Sequence, residues 1–198
     1  MGKKIAALLT ATLFLCGAAL ALQTPTASMK STIDSVISIL NDKSKSKTDR
    51  REKVITAVRA KFDFPAMSQF VLAANWKKAS EEQKKLFIDK FGKVLEQTYA
   101  GRLEEYSGET VKYIGEEVID GKAKLDTAIL SQGKEIPITY KLRAVSDDWL
   151  IYDVVIEGVS LARNYNATYG EIIHKEGMDS LLKKMDEKLS QKAEQAKK

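Results

Sequence analysis

Between Pro25 and Asn41 the apolar positions Met29, Ile33, Val36, Ile37 and Leu40 recur every three or four residues. That spacing lines one side of a helix, and Pro25 after Thr24 suits its first turn. The polar run 42–47 ends it. Asp49 with Glu52 reads as a capping pair for a second, short helix that carries Val54, Ile55 and Val58 toward Lys61. Asp63 can cap a third, beginning around Pro65 and burying Phe64, Met67, Phe70 and Val71, with Trp76 just past its end. Ser80-Glu81-Glu82-Gln83 is a capping box. The longest stripe follows it through Leu86, Phe87, Phe91, Val94, Leu95, Thr98, Tyr99 and Leu103, ending near Tyr106-Ser107-Gly108.

There the period changes to two. Segments 110–118, 122–130, 135–145 and 149–156 read as four strands separated by Asp120-Gly121, Gln132-Gly133-Lys134 and Asp147-Asp148, turns short enough to require antiparallel neighbours. Ala123, Leu125, Thr127 and Ile129 alternate with Lys122, Lys124 and Asp126. Ile136, Ile138, Tyr140, Leu142 and Ala144 alternate with Thr139, Lys141 and Arg143, so one face is dry and one wet. The last strand is apolar in both registers over most of its length, as where helices cover part of the second face too. The helical period returns after Gly158 with Leu161, Tyr165, Tyr169, Ile172 and Ile173, and after Gly177 with Met178, Leu181, Leu182 and Met185. The order predicts an α+β fold with helices packed on one face of a curved four-stranded antiparallel sheet, a cup able to enclose an apolar pocket. Residues 22–190 form one domain, and 191–198 a frayed tail.

The N-terminus has Lys3 and Lys4, an uncharged run over 5–21 and the triplet Ala19-Leu20-Ala21, the order of a secretory signal peptide cleaved after Ala21. Export is expected, with an uncleaved signal anchor as the alternative. Cleavage removes Cys16, the only cysteine, so the exported chain has neither disulfide nor thiol chemistry. The formal charge of +5 falls by the two lysines to +3. The compact basic stretch is Lys43, Lys45, Lys47, Arg50, Arg51 and Lys53. It lacks the interleaved aromatics of a nucleic-acid platform, which leaves a solvated loop or a transient contact with acidic lipid or an acidic partner.

Catalytic chemistry is sparse. One histidine, His174, excludes a multi-histidine metal centre, and its place near a helix end suits contact with terminal carbonyls. Gly158-Val159-Ser160-Leu161-Ala162 resembles a nucleophile elbow, but alanine replaces the last glycine and the elbow belongs to a parallel sheet, so Ser160 reads as a helix cap. Asp153 and Glu157, four apart in extended chain, stand roughly 13 Å apart, too far for a glycosidase pair. No enzyme, metal or cofactor is expected. The large apolar side chains either fill a core or leave a ligand cavity.

Phe62-Asp63-Phe64-Pro65-Ala66-Met67 through Trp76, Ser80-Glu81-Glu82-Gln83 to Tyr99, and above all 149–161 (Trp-Leu-Ile-Tyr-Asp-Val-Val-Ile-Glu-Gly-Val-Ser-Leu), Asn164-Tyr165 and Glu176-Gly177-Met178, are similar to the MlaC family of periplasmic toluene-tolerance proteins. The resemblance implies a monomeric phospholipid carrier that serves an outer-membrane lipoprotein–porin complex and an inner-membrane ABC transporter and so maintains outer-membrane lipid asymmetry. No cofactor comes with it. It also implies lipid-binding roles for Phe64, Met67, Phe70, Tyr99, Val155, Val159 and Leu161. A chaperone using the same cup for unfolded segments or lipoprotein acyl chains is the alternative.

Overall fold

The computed structural model describes residues 22–104, 106 and 108–195, with the backbone alone of 100, 102–104 and 193–195. The expected signal segment 1–21 with its cleavage point and Cys16, the Leu103 side chain, Ser107, and 196–198 of the expected tail lie outside the described residues.

The chain runs α1 (Pro25–Asn41), α2 (Lys47–Lys61), α3 (Phe64–Leu72), a 3₁₀ turn (Ala73–Lys77), α4 (Glu81–Glu104), β1 (Thr110–Ile119), β2 (Lys122–Ser131), β3 (Lys134–Val145), β4 (Asp148–Ile156), β5 (Val159–Ser160), α5 (Leu161–Glu176) and α6 (Met178–Gln195). Polar side chains start the helices by accepting otherwise unpaired N–H groups. Thr24 accepts from Ala27, Asp63 from Ala66 and Ser160 from Arg163. The capping box closes in both directions: the Gln83 N–H donates to Ser80 Oγ at 3.1 Å and the Ser80 N–H to Gln83 Oε1 at 3.0 Å. Ser46, not Asp49, caps α2, which puts Asp49 in the first turn. α6 continues as helix through 191–195, the first part of the segment expected to fray.

The sheet has five strands in the order β1-β2-β3-β4-β5, all antiparallel, not the expected four. The addition is Val159–Ser160, which folds back along Val155 and Ile156 through Glu157-Gly158. Two residues have no period to read. Glu157 and Gly158 both take positive φ, as do Asp120-Gly121 and Gln132-Gly133, matching the hand of turn that twisted antiparallel strands require. The sheet is open: β1 and β5 are not paired with each other, so it does not curl into the expected cup.

Register confirms the dry face. Leu125 stands opposite Tyr140, Ala123 opposite Leu142, Tyr140 opposite Val154 and Ala144 opposite Trp149. The helices, however, do not all lie on it. α1 packs on the dry face through Met29 and Ile33, while α3 to α6 build a core of their own around Met67, Phe87, Phe91, Tyr169 and Leu181. This second core abuts β4 through α3 and α5. Asp153, whose register partner Lys141 is on the wet face, is wholly buried beneath the first turn of α5. Helices thus cover both faces at β4, as its two apolar registers foretold. Phe62 and Leu161 touch both cores.

Candidate functional site

The seam between α1 and the dry face is unevenly filled. At one end Met29, Leu125, Leu142, Trp149 and Ile151 are buried to 4% exposure or less. Farther along, Ile33 on the helix and Tyr113, Ile129, Tyr140 and Ile156 on the sheet are only partly buried. The continuing stripe Val36, Ile37 and Leu40 is half-buried as well. Apolar surface that a core would close is left here incompletely covered.

Polar contacts fix the tight end. The Lys61 ammonium, 5% exposed, donates to Ser28 Oγ and lies 2.7 and 2.9 Å from the two oxygens of Asp148. A buried ammonium is tolerable only with such partners. Trp149 Nε1 donates to the Gln23 carbonyl at 2.7 Å, and the Thr26 N–H donates to Glu116 Oε2. The start of α1 and the end of α2 are thereby held to the same corner of the sheet. Arg143 of β3 donates to Asp63, joining the sheet to the start of α3.

The seam is a poor place for charge. Burial, with the neighbouring Tyr113, pushes the Tyr140 hydroxyl up to about 12. Tyr113 is raised by burial and by the carboxylate of Asp34. Both tyrosines are therefore neutral at physiological pH and offer hydroxyl groups within an otherwise apolar lining. The residues can hold an apolar ligand and hydrogen-bond to a polar group upon it.

The residues singled out from the sequence are dispersed. Met67 is fully buried in the helical core, against which Phe64, Phe70 and Tyr99 pack. Leu161 touches both cores. Val155 pairs with Thr139 and Ser160 on the face turned from α1, and Val159 is 58% exposed. These seven do not enclose one cavity. A shallow groove of about 590 Å³ does run along the outer side of α1, but Ala27, Lys30, Asp34 and three serines line it, and none of the seven residues is among them. Ile33, Ile138, Tyr140 and Ile156 are the better-placed set. The alternation on β3 marks two of them, Ile138 and Tyr140, as dry-face residues; nothing in the stripe of α1 says that it covers the sheet.

The sequence's weak catalytic signals resolve as structure. Ser160 Oγ accepts from the Arg163 N–H and donates to Asp153 Oδ2 at 2.7 Å. His174 lies exposed in the last turn of α5, 14 residues on, about 21 Å along the helix. Among the described residues no three His, Cys, Asp or Glu side chains gather as a metal site, and no helix is long and apolar enough to cross a membrane.

The chain is similar to known proteins. The family model described as MlaC protein matches residues 30–187. The intermembrane phospholipid transport system binding protein MlaC of Haemophilus influenzae is 31% identical over 127 residues, 61% of this chain and 59% of the relative. The toluene tolerance protein ttg2D of Pseudomonas putida is 23% identical over 120 residues, 59% of this chain and 56% of the relative. The matches thus span less than two thirds of either curated relative. A phospholipid-binding protein from Ralstonia solanacearum, solved in complex with a phospholipid, superposes with a TM-score of 0.78 at 24% identity, covering 86% of this chain and 99% of its own. That likeness establishes the fold.

Proposed function

Because the chain belongs to the MlaC family, we propose that it is a periplasmic phospholipid carrier and not an enzyme. The observation that carries the reading is the incompletely covered apolar seam between α1 and the dry face, in a fold shared with a lipid-bound neighbour. In this reading the acyl chains lie along Ile33, Ile138, Tyr140 and Ile156. Leu161 leads from there toward Phe64, Met67, Phe70 and Tyr99, and α1 moves outward to admit them. Val155 and Val159 border the exit.

Magnitudes bear on direction. Two chains of about 16 carbons, at roughly 0.8 kcal/mol per methylene, gain about 25 kcal/mol from leaving water. Escape into solvent is negligible. A bilayer offers nearly the same protection, so exchange between carrier and membrane is close to balanced. Net transport then comes from docking partners: an outer-membrane lipoprotein–porin complex at one side and an inner-membrane ABC transporter at the other, the pair keeping the outer membrane asymmetric. A partner drives release only through preferring the opened state.

Organic extraction and native mass spectrometry of the purified protein test the proposal. Discrete adducts of two-chain phospholipid mass are expected. Ile33→Glu should abolish them while circular dichroism shows a folded chain, since an unpaired charge in the seam costs several kcal/mol. A protein that is uniformly lipid-free and takes up none from vesicles would refute the carrier.

A further inference from the structure

The linker after α1 and the opening turns of α2 carry six cations against Asp42, Asp49 and Glu52. Their contacts divide them. Lys45 lies 2.7 Å from Asp42, whose carboxyl is held at about 2 by hydrogen bonds from Lys45 and Ser44. Arg50 donates to the carbonyls of Asp42 and Lys45 and so closes the linker. These two serve the loop itself. Lys43, Lys47, Arg51 and Lys53 are exposed, and Lys43 and Lys53 make no ion pair among the described residues.

Position adds a second, independent observation. α1 starts and α2 ends at the Asp148 corner, so the linker between them stands at the opposite end, about 25 Å away for a helix of 17 residues. That is the loose end of the seam. Its margin carries Val159 at 58% exposure and the half-buried Leu40. Exposed ammonium groups and exposed apolar side chains at one end of an apolar seam match the layering of a bilayer surface, with phosphate outside and hydrocarbon within.

We propose that this end docks on an anionic lipid surface, with Lys43 and Lys53 against headgroup phosphates and the open seam facing the bilayer. Basic side chains beside a membrane are drawn to its anionic leaflet by about 1 kcal/mol each. What the docking is for rests on the carrier reading; the docking itself does not.

The test is partition of the purified protein onto vesicles of phosphatidylcholine alone and of phosphatidylcholine with about one third phosphatidylglycerol. The unmodified protein should prefer the anionic vesicles and lose that preference as salt rises. Each juxtamembrane lysine contributes roughly fivefold, so Lys43→Gln and Lys53→Gln together should weaken partition by about 25-fold. Lipid content and melting temperature should not change, since exposed charges contribute little to folding. Equal binding to both vesicles, or a double variant that binds as the unmodified protein does, overturns the proposal. The latter outcome with a preserved preference would place the contact on another face. A lipid-free protein that still prefers anionic vesicles leaves docking in place and removes the carrier reading, so the two failures are distinct.

Discussion

Replacing Asp153 with alanine should destabilise the protein by about 3 kcal/mol. The carboxylate is 0% exposed and both its oxygens are engaged: Oδ2 accepts from Ser160 Oγ at 2.7 Å and from Lys141 Nζ at 2.9 Å, and Oδ1 accepts from the Ala162 N–H at 3.1 Å. One side chain thus ties β4 to β3, to β5 and to the first turn of α5. Breaking a buried charge pair by removing one partner costs about 3–5 kcal/mol, and leaving a buried donor unsatisfied about 1–3 kcal/mol. The Lys141 side chain is 28% exposed and can turn to water, which lowers the first figure. Ser160 keeps its bond from Arg163. The orphaned Ala162 N–H has no such recourse, because Ala162 is fully buried. For a domain of this size about 3 kcal/mol lowers Tm by roughly 6–12 °C. Urea denaturation followed by circular dichroism reads the free energy directly. Adding Lys141→Met to Asp153→Ala should not deepen the loss by the full effect of Lys141→Met alone, since the two changes remove the same interaction. A loss under about 0.5 kcal/mol, or simple additivity in the double variant, would show that Asp153 does not join these elements.

Alkaline stability should expose the tyrosines of the seam. The folded pKa of Tyr140, about 12, lies above its ordinary 10.0, so its contribution is complete below pH 10 and disappears as pH rises toward 12. Urea midpoints measured across that interval should fall less steeply in Tyr140→Phe; an identical slope would mean that the hydroxyl is not buried in the folded state. Ser80→Ala should cost about 1 kcal/mol in the same assay, because it opens the capping box of the longest helix.

Local structure was legible at most places where one residue decides it. Asp63, Ser80 and Ser160 mark helix starts because a short polar side chain can accept the free N–H groups there, and Asp120-Gly121 and Gln132-Gly133 mark two hairpins, whereas α2 is capped by Ser46 and not Asp49 and the third turn is Ser146-Asp147 and not Asp147-Asp148. Alternation on β2 and β3 identified the buried face correctly. What a stripe is buried against was not legible. Met29–Ile33 and Phe87–Phe91 have the same periodicity, yet the first pair covers the sheet and the second belongs to a core in which Phe87 and Phe91 meet Tyr165 and Tyr169 edge to face. Periodicity fixes the side of a helix that is dry, not its partner. It does not distinguish Phe64, Met67, Phe70 and Tyr99, which belong with the helical core, from Ile33 and Tyr140, which belong with the sheet core. Asp153 was weighed only as one of a carboxylate pair with Glu157. Its structural part depends on β5 bringing Ser160 back beside it, and a two-residue strand leaves no pattern.

The outer margin of the sheet bears on how the chain behaves among many copies of itself. β1 is an edge strand whose Ile114, Val118 and Ile119 are about half exposed or more, the kind of surface on which strands of neighbouring molecules add. Two features oppose this. The ladder is interrupted between Tyr113 and Gly115, so a second strand laid along β1 would lose register midway. Glu116 and Glu117 follow at once, and two copies meeting edge to edge in antiparallel fashion about this segment would bring their carboxylates together. Self-pairing is thus penalised along a strand that stays apolar enough to need the penalty. Removing the charge of Glu117 should favour association through the sheet, whereas removing Glu116 would also release the Thr26 N–H and loosen the start of α1.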